Sequence, residues 1–106
     1  MPDLVSAVIA YYPMTKDFNM QSLAAKFQVP TLVFAGERDT YYDCCLIGTM
    51  RALERGAKEA GKPFELVVYK EAGHGFDQVG DGYRAEDAAD AWQRTIKMLS
   101  QYQPLR

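Results

Sequence analysis

The chain has a single histidine, His74, set between two glycines in the run Ala72-Gly73-His74-Gly75-Phe76. An imidazole changes charge nearest neutral pH, so it is the side chain best suited to moving a proton there. The flanking glycines let the backbone turn sharply and present the ring at the end of the preceding element. Thirty-five residues earlier, Gly36-Glu37-Arg38-Asp39 follows another apolar run. A carboxylate that fixes an imidazole tautomer and stabilises its protonated form gives the acid–base half of an acyl-transfer site. Asp39 is the preferred acid; Glu37 and Asp43 compete for the role but fit the pattern less well. The plainer alternative is a loop histidine together with an aspartate that closes a turn or pairs with Arg38 or Arg51.

The other groups able to do chemistry are fewer. Cys44 and Cys45 are adjacent, and neighbours in sequence rarely bridge, because the geometry strains the peptide between them. They read as two small, half-buried residues at a helix start. The sharper alternative is a thiolate there serving as an improvised nucleophile. With no C-x-x-C and no second histidine, no zinc site is expected. No cofactor is expected either. Gly73, Gly75, Gly80 and Gly82 do not make a dinucleotide fingerprint, and Asp77 and Asp81 lack calcium-loop spacing. Tyr11, Tyr12 and Phe76 are placed where they could line a substrate pocket, although aromatics at strand ends more often belong to the core. Ser6, Ser22 and Ser100 are not placed to attack. Ser6 starts the first strand, about 16 Å from the rim where His74 sits.

The elements that must position these residues follow from periodicity. Leu4–Tyr12 is a nearly unbroken apolar run ended by Pro13, and reads as a buried strand. Thr15–Gln28 carries Met20, Leu23, Ala24 and Phe27 at helical spacing, after Asn19 as N-cap. A second strand covers Thr31–Ala35. A helix over Cys44–Ala60 buries Leu46, Met50, Leu53, Ala57 and Ala60, and Gly61-Lys62-Pro63 stops it. Phe64–Tyr69 is a strand with apolar residues on both faces. The last helix spans Ala85–Tyr102, with Ala85, Ala88, Trp92, Ile96, Leu99 and Tyr102 expected inward. The order β-α-β-α-β-α predicts an α/β fold, a three-stranded parallel sheet with flanking helices and right-handed crossovers. Such sheets carry their chemistry at the carboxyl ends of the strands, where Asp39 and His74 both fall.

Length and composition set the bounds. One domain over residues 1–106 is expected, with an ordinary globular balance of 48% hydrophobic and 25% charged residues. A net charge of −2 with no basic run argues against nucleic acid, and no apolar run is long enough to span a membrane. A soluble, cytoplasmic protein is expected unless a leader precedes the sequence.

Five stretches together resemble the dienelactone hydrolase family of the α/β-hydrolases. They are V-S-A-V-I-A-Y-Y-P, V-P-T-L-V-F-A-G-E-R-D, the helix ending A-G-K-P, F-E-L-V-V-Y-K-E-A-G-H-G-F and Y-R-A-E-D-A-A-D-A-W-Q-R-T. The resemblance covers essentially the whole chain. It implies that the three strands are the last three of an eight-stranded sheet, that Asp39 is the triad acid, and that His74 is the base. The family's nucleophile elbow, G-x-S-x-G or G-x-C-x-G, precedes the acid and base in chain order, and this sequence has neither. Two functional readings follow. One is the acid–base portion of an ester or lactone hydrolase, truncated, inactive alone, and completed by a missing N-terminal half. The other is a non-catalytic module that keeps the scaffold and self-associates. Its motive is the apolar first strand, residues 4–12, whose unpaired edge would favour a homodimer or larger assembly.

Overall fold

The computed structural model describes residues 7–14, 19 and 29–102. Three strands, β1 (Val8–Tyr11), β2 (Thr31–Gly36) and β3 (Phe64–Tyr69), form one parallel sheet in the order β1-β2-β3. The register stacks Tyr11, Phe34 and Val67 side by side across the three strands. β1 is therefore shorter than the Leu4–Tyr12 run. Residues 4–6 lie outside the described residues, as does the helix expected over Thr15–Gln28 apart from Asn19.

Every residue of β2 is buried, as a central parallel strand covered on both faces requires. Its side chains alternate between two cores. Val33 and Ala35 join Cys45 and Met50 on one face, with Ala10, Phe64 and Leu66 against them. Leu32 and Phe34 join Tyr69, Ala72, Phe76 and Ala91 on the other, with Ile9, Tyr11, Tyr12, Val67 and Met98.

Helix α1 (Ile47–Glu59) supplies the first core through Met50, while Leu53 and Ala57 continue the same buried stripe. It begins three residues later than the expected Cys44, after a single 3₁₀ turn at Tyr41–Asp43. Its end is the one the sequence marks. Gly61 takes φ +68°, its N–H reaches the Lys58 carbonyl, and the Lys62 N–H reaches Ala57, so two otherwise orphaned carbonyls are satisfied. Ala60, expected inward, is exposed.

Helix α2 (Ala85–Tyr102) covers the second core on a face other than the expected one. Trp92 is 60% exposed, and Ile96 and Leu99 also face outward, whereas Ala91 and Thr95 are buried and Met98 packs inward. The opposing surface explains the choice. Tyr11, Phe34, Tyr69 and Phe76 already fill that side with rings 4.8 to 6.3 Å apart, so small residues on the helix permit close approach. Thr95 also shares a 2.9 Å hydrogen bond with the Tyr11 hydroxyl and donates to the Ala91 carbonyl.

Candidate active site

The rim at the carboxyl ends of β2 and β3 is held by backbone before any side chain is considered. Glu37 N–H donates to the Tyr69 carbonyl and Arg38 N–H to the Ala72 carbonyl, which ties the loop after β2 to the loop after β3. Gly36 makes this crossing possible. A Cβ placed there would lie 2.2 Å from the Ala72 carbonyl oxygen, a backbone atom with nowhere to go.

Those two loops bring Asp39 and His74 together. The Asp39 Oδ2 lies 3.0 Å from His74 Nδ1, and the Asp39 side chain is fully buried while that of His74 is 27% exposed. The other carboxylate oxygen, Oδ1, accepts the Tyr41 backbone N–H at 3.1 Å. Both oxygens are thus engaged, as burial of a polar group requires. The competing acids are placed elsewhere: Glu37 and Asp43 are exposed. Arg38, one of the two arginines considered as partners of Asp39, pairs with Glu71 at 2.6 Å.

Two tyrosines wall the imidazole. Tyr41 stacks on it with ring centres 4.7 Å apart and planes 12° from parallel, and Tyr12 meets it edge-on at 4.4 Å. The Tyr12 hydroxyl donates to Asp77 Oδ1 at 2.6 Å, fixing that ring in turn. Burial, followed by this bond, pushes the Tyr12 phenol well above its ordinary range. Nothing in the sequence marks Tyr41 and Asp77 as parts of this site. Tyr41 follows Asp39 by two residues inside an irregular loop, and no periodicity marks such a position.

The three aromatics placed to line a pocket separate, with Tyr11 packed on the second core and bonded to Thr95. Phe76 is completely buried in the second core, beneath Tyr11, Tyr12 and Tyr69, so it cannot contact a substrate. Tyr12 remains at the rim beside His74.

The cysteines depart furthest from expectation. Cys44 and Cys45 form a disulfide with each other, their Cα atoms 3.8 Å apart. As a disulfide neither sulfur is a thiolate nucleophile. The Cys44 sulfur also lies 3.9 Å from His74 Nδ1, on the nitrogen that Asp39 already holds. The two cysteines sit in the turn before α1 and not at the helix start, and Cys45 is buried against Val33, Ala35 and Met50. The preceding Tyr42 and Asp43 both have positive φ, 47° and 53°, conformations that residues with a side chain adopt only when their surroundings impose them. One ligand atom from each of Asp39, Cys44, Cys45 and His74 falls within 4.8 Å of the others. Spacing alone does not mark this four-residue cluster, because two separate loops assemble it. Ser6 and Ser22 lie outside the described residues, and Ser100 is on the exposed side of α2.

Comparison with known proteins places these features in context. The model of the dienelactone hydrolase family matches residues 1–103. A "Putative carboxymethylenebutenolidase" of Salmonella typhimurium is 32% identical over 108 residues, covering 95% of this chain and 39% of its own length. A relative of the same name from Yersinia pestis is 38% identical over 74 residues, covering 69% of this chain and 27% of its own. Among solved structures, a "Putative Dienelactone Hydrolase" from Klebsiella pneumoniae superposes with a TM-score of 0.78 at 26% identity, over 92% of this chain and 42% of that one. The present chain therefore spans about two-fifths of the length of such relatives.

Proposed function

Because the chain belongs to the dienelactone hydrolase family, we propose that Asp39 and His74 are the acid and base of an acyl-transfer site that hydrolyses esters or lactones, and that the nucleophile comes from polypeptide beyond these 106 residues. The observation that carries this reading is the 3.0 Å contact between His74 Nδ1 and a fully buried Asp39 carboxylate. Asp39 accepts a hydrogen bond from Nδ1–H, which leaves the Nε2 lone pair as the base. His74 then takes the proton of an attacking thiol or hydroxyl and returns it to the leaving alcohol, and Asp39 stabilises the imidazolium formed between those steps. Tyr41 and Tyr12 hold the ring plane, so that Nε2 keeps one direction. The chain alone carries no nucleophile elbow, so it is inactive until one is supplied.

Two assays test this. The chain by itself should hydrolyse an activated ester no faster than its His74→Ala variant. A rate that depends on His74 would contradict the inactivity of the chain alone. Joined to the N-terminal portion of a relative that contains the elbow, the chain should gain an activity that falls about 10⁴-fold in Asp39→Asn. Full activity in that variant would remove Asp39 from the mechanism.

A second reading, a self-associating module, draws on the free edge of β1. This strand pairs only with β2 among the described residues, and Val8 is 39% exposed. Two copies joined antiparallel through residues 4–12 would continue the sheet to six strands and cover that edge.

A further inference from the structure

We propose that reduction of the Cys44–Cys45 disulfide opens a tetrahedral site for a borderline-soft divalent cation of the Zn²⁺ class, with Cys44, Cys45, His74 Nδ1 and Asp39 Oδ2 as ligands. The proposal does not depend on whether the chain takes part in hydrolysis.

The donor set is one that zinc prefers: two sulfurs, an imidazole nitrogen and a carboxylate oxygen. These atoms lie within 4.8 Å of one another. Bonds of about 2.0 to 2.3 Å at tetrahedral angles put ligand atoms roughly 3.3 to 3.8 Å apart. Gathering the nitrogen and oxygen is therefore a side-chain adjustment, while the two sulfurs must separate, which breaking their bond permits. Asp39 and Cys45 are buried and His74 and Cys44 half-buried, so the site is shielded yet reachable from the rim. The support that orients the ligands already exists. The Tyr41 N–H holds Asp39 Oδ1 and leaves Oδ2 turned toward His74, and Tyr41 and Tyr12 fix the imidazole plane.

The chemistry balances with a dithiol as reductant. The sulfur–sulfur bond of Cys44–Cys45 accepts two electrons and two protons and becomes two thiols, while the dithiol becomes a cyclic disulfide. Binding of the cation releases both thiol protons to solvent. The proton between His74 Nδ1 and Asp39 moves to Nε2 as the metal takes its place. Metal binding therefore removes the Asp39–His74 hydrogen bond, so the loaded and acid–base states exclude each other.

The test uses the whole chain, reduced with excess dithiol, desalted without oxygen and titrated with Co²⁺ alone, then Zn²⁺. One equivalent of Co²⁺ should give thiolate-to-metal charge-transfer absorption and tetrahedral ligand-field bands, and Zn²⁺ should bleach both. The oxidised chain should give neither. Cys44→Ser, Cys45→Ser, His74→Gln and Asp39→Asn should each weaken binding by more than about tenfold. No charge-transfer band in the reduced chain overturns the proposal. Undiminished affinity in both His74→Gln and Asp39→Asn also overturns it, because the thiols would then be binding alone.

Discussion

Asp39 differs from its neighbour Glu37 in burial, and that difference decides which carboxylate meets the histidine. Glu37 and Arg38 point to solvent, while Asp39 turns under the loop to reach both His74 and the Tyr41 amide. The sequence singled out Asp39 by its place after an apolar strand and could not reveal Tyr41, whose contribution is a backbone N–H and a ring face. Nor could it reveal the Cys44–Cys45 bond, since the geometry that disfavours a bridge between neighbours is met here by a turn that no periodicity marks. A second residue-scale contact supports a pH prediction. The Tyr69 hydroxyl donates to Asp90 Oδ2 at 2.6 Å, and Arg94 Nε donates to the same oxygen at 2.7 Å. Burial, then the bond to Asp90, pushes the Tyr69 phenol well above its ordinary value of 10.0. The bond from Tyr69, then that from Arg94, holds Asp90 below the usual carboxylate range. A phenol with a raised folded value stabilises fully below pH 10.0, and its contribution is lost as pH rises past that point. A carboxylate with a depressed value stabilises above 3.8 and loses its contribution as pH falls below it. Tyr69→Phe should therefore cost about 1 kcal/mol at neutral pH, a figure kept small because Asp90 is partly exposed. It should also flatten the alkaline fall in the urea midpoint. An unchanged alkaline slope in the variant would show that Tyr69 does not contribute to it.

At the scale of elements, β2 and β3 are more legible in the sequence than the helix faces. β2 and β3 begin and end within a residue of their apolar runs, because a parallel strand covered on both sides has little choice of composition. The stop of α1 at Gly61 was equally visible, since few residues other than glycine take its φ of +68°. The buried face of helix α2 is not legible from hydrophobicity, which favours Trp92, Ile96 and Leu99, whereas the crowded aromatic core requires Ala91 and Thr95. The joint between elements gives a sharper prediction. Gly36→Ala sets a Cβ against the Ala72 carbonyl and must push the two rim loops apart. It should lower stability by about 1–3 kcal/mol in urea unfolding, and it should lengthen the Asp39–His74 contact. A fully stable variant would mean that the loops do not cross as closely as described.

For the whole molecule, the parallel sheet and its match to α/β-hydrolases of the dienelactone family were legible from five short stretches in a fixed order. Among the described residues no helix is long and apolar enough to cross a membrane. This chain spans about two-fifths of the length of such relatives and contains neither G-x-S-x-G nor G-x-C-x-G, so a nucleophile elbow is not legible in it. The edge of β1, which has no second strand partner among the described residues, and the outward stripe of Trp92, Ile96 and Leu99 are two features of this scale. If the chain associates through β1, sedimentation at micromolar concentration should give twice the mass of 11.9 kDa, and a lysine at Val8 should return it to the single-chain value. A single-chain mass for the unmodified protein would exclude association through that edge.

The acid–base reading rests on which ring nitrogen of His74 carries the proton. Nitrogen chemical shifts of the imidazole in the oxidised chain, recorded where the ring is neutral, report this directly. The account predicts a protonated Nδ1 facing Asp39 and an unprotonated Nε2, with that preference lost in Asp39→Asn. A proton found on Nε2 in the unmodified chain would contradict it.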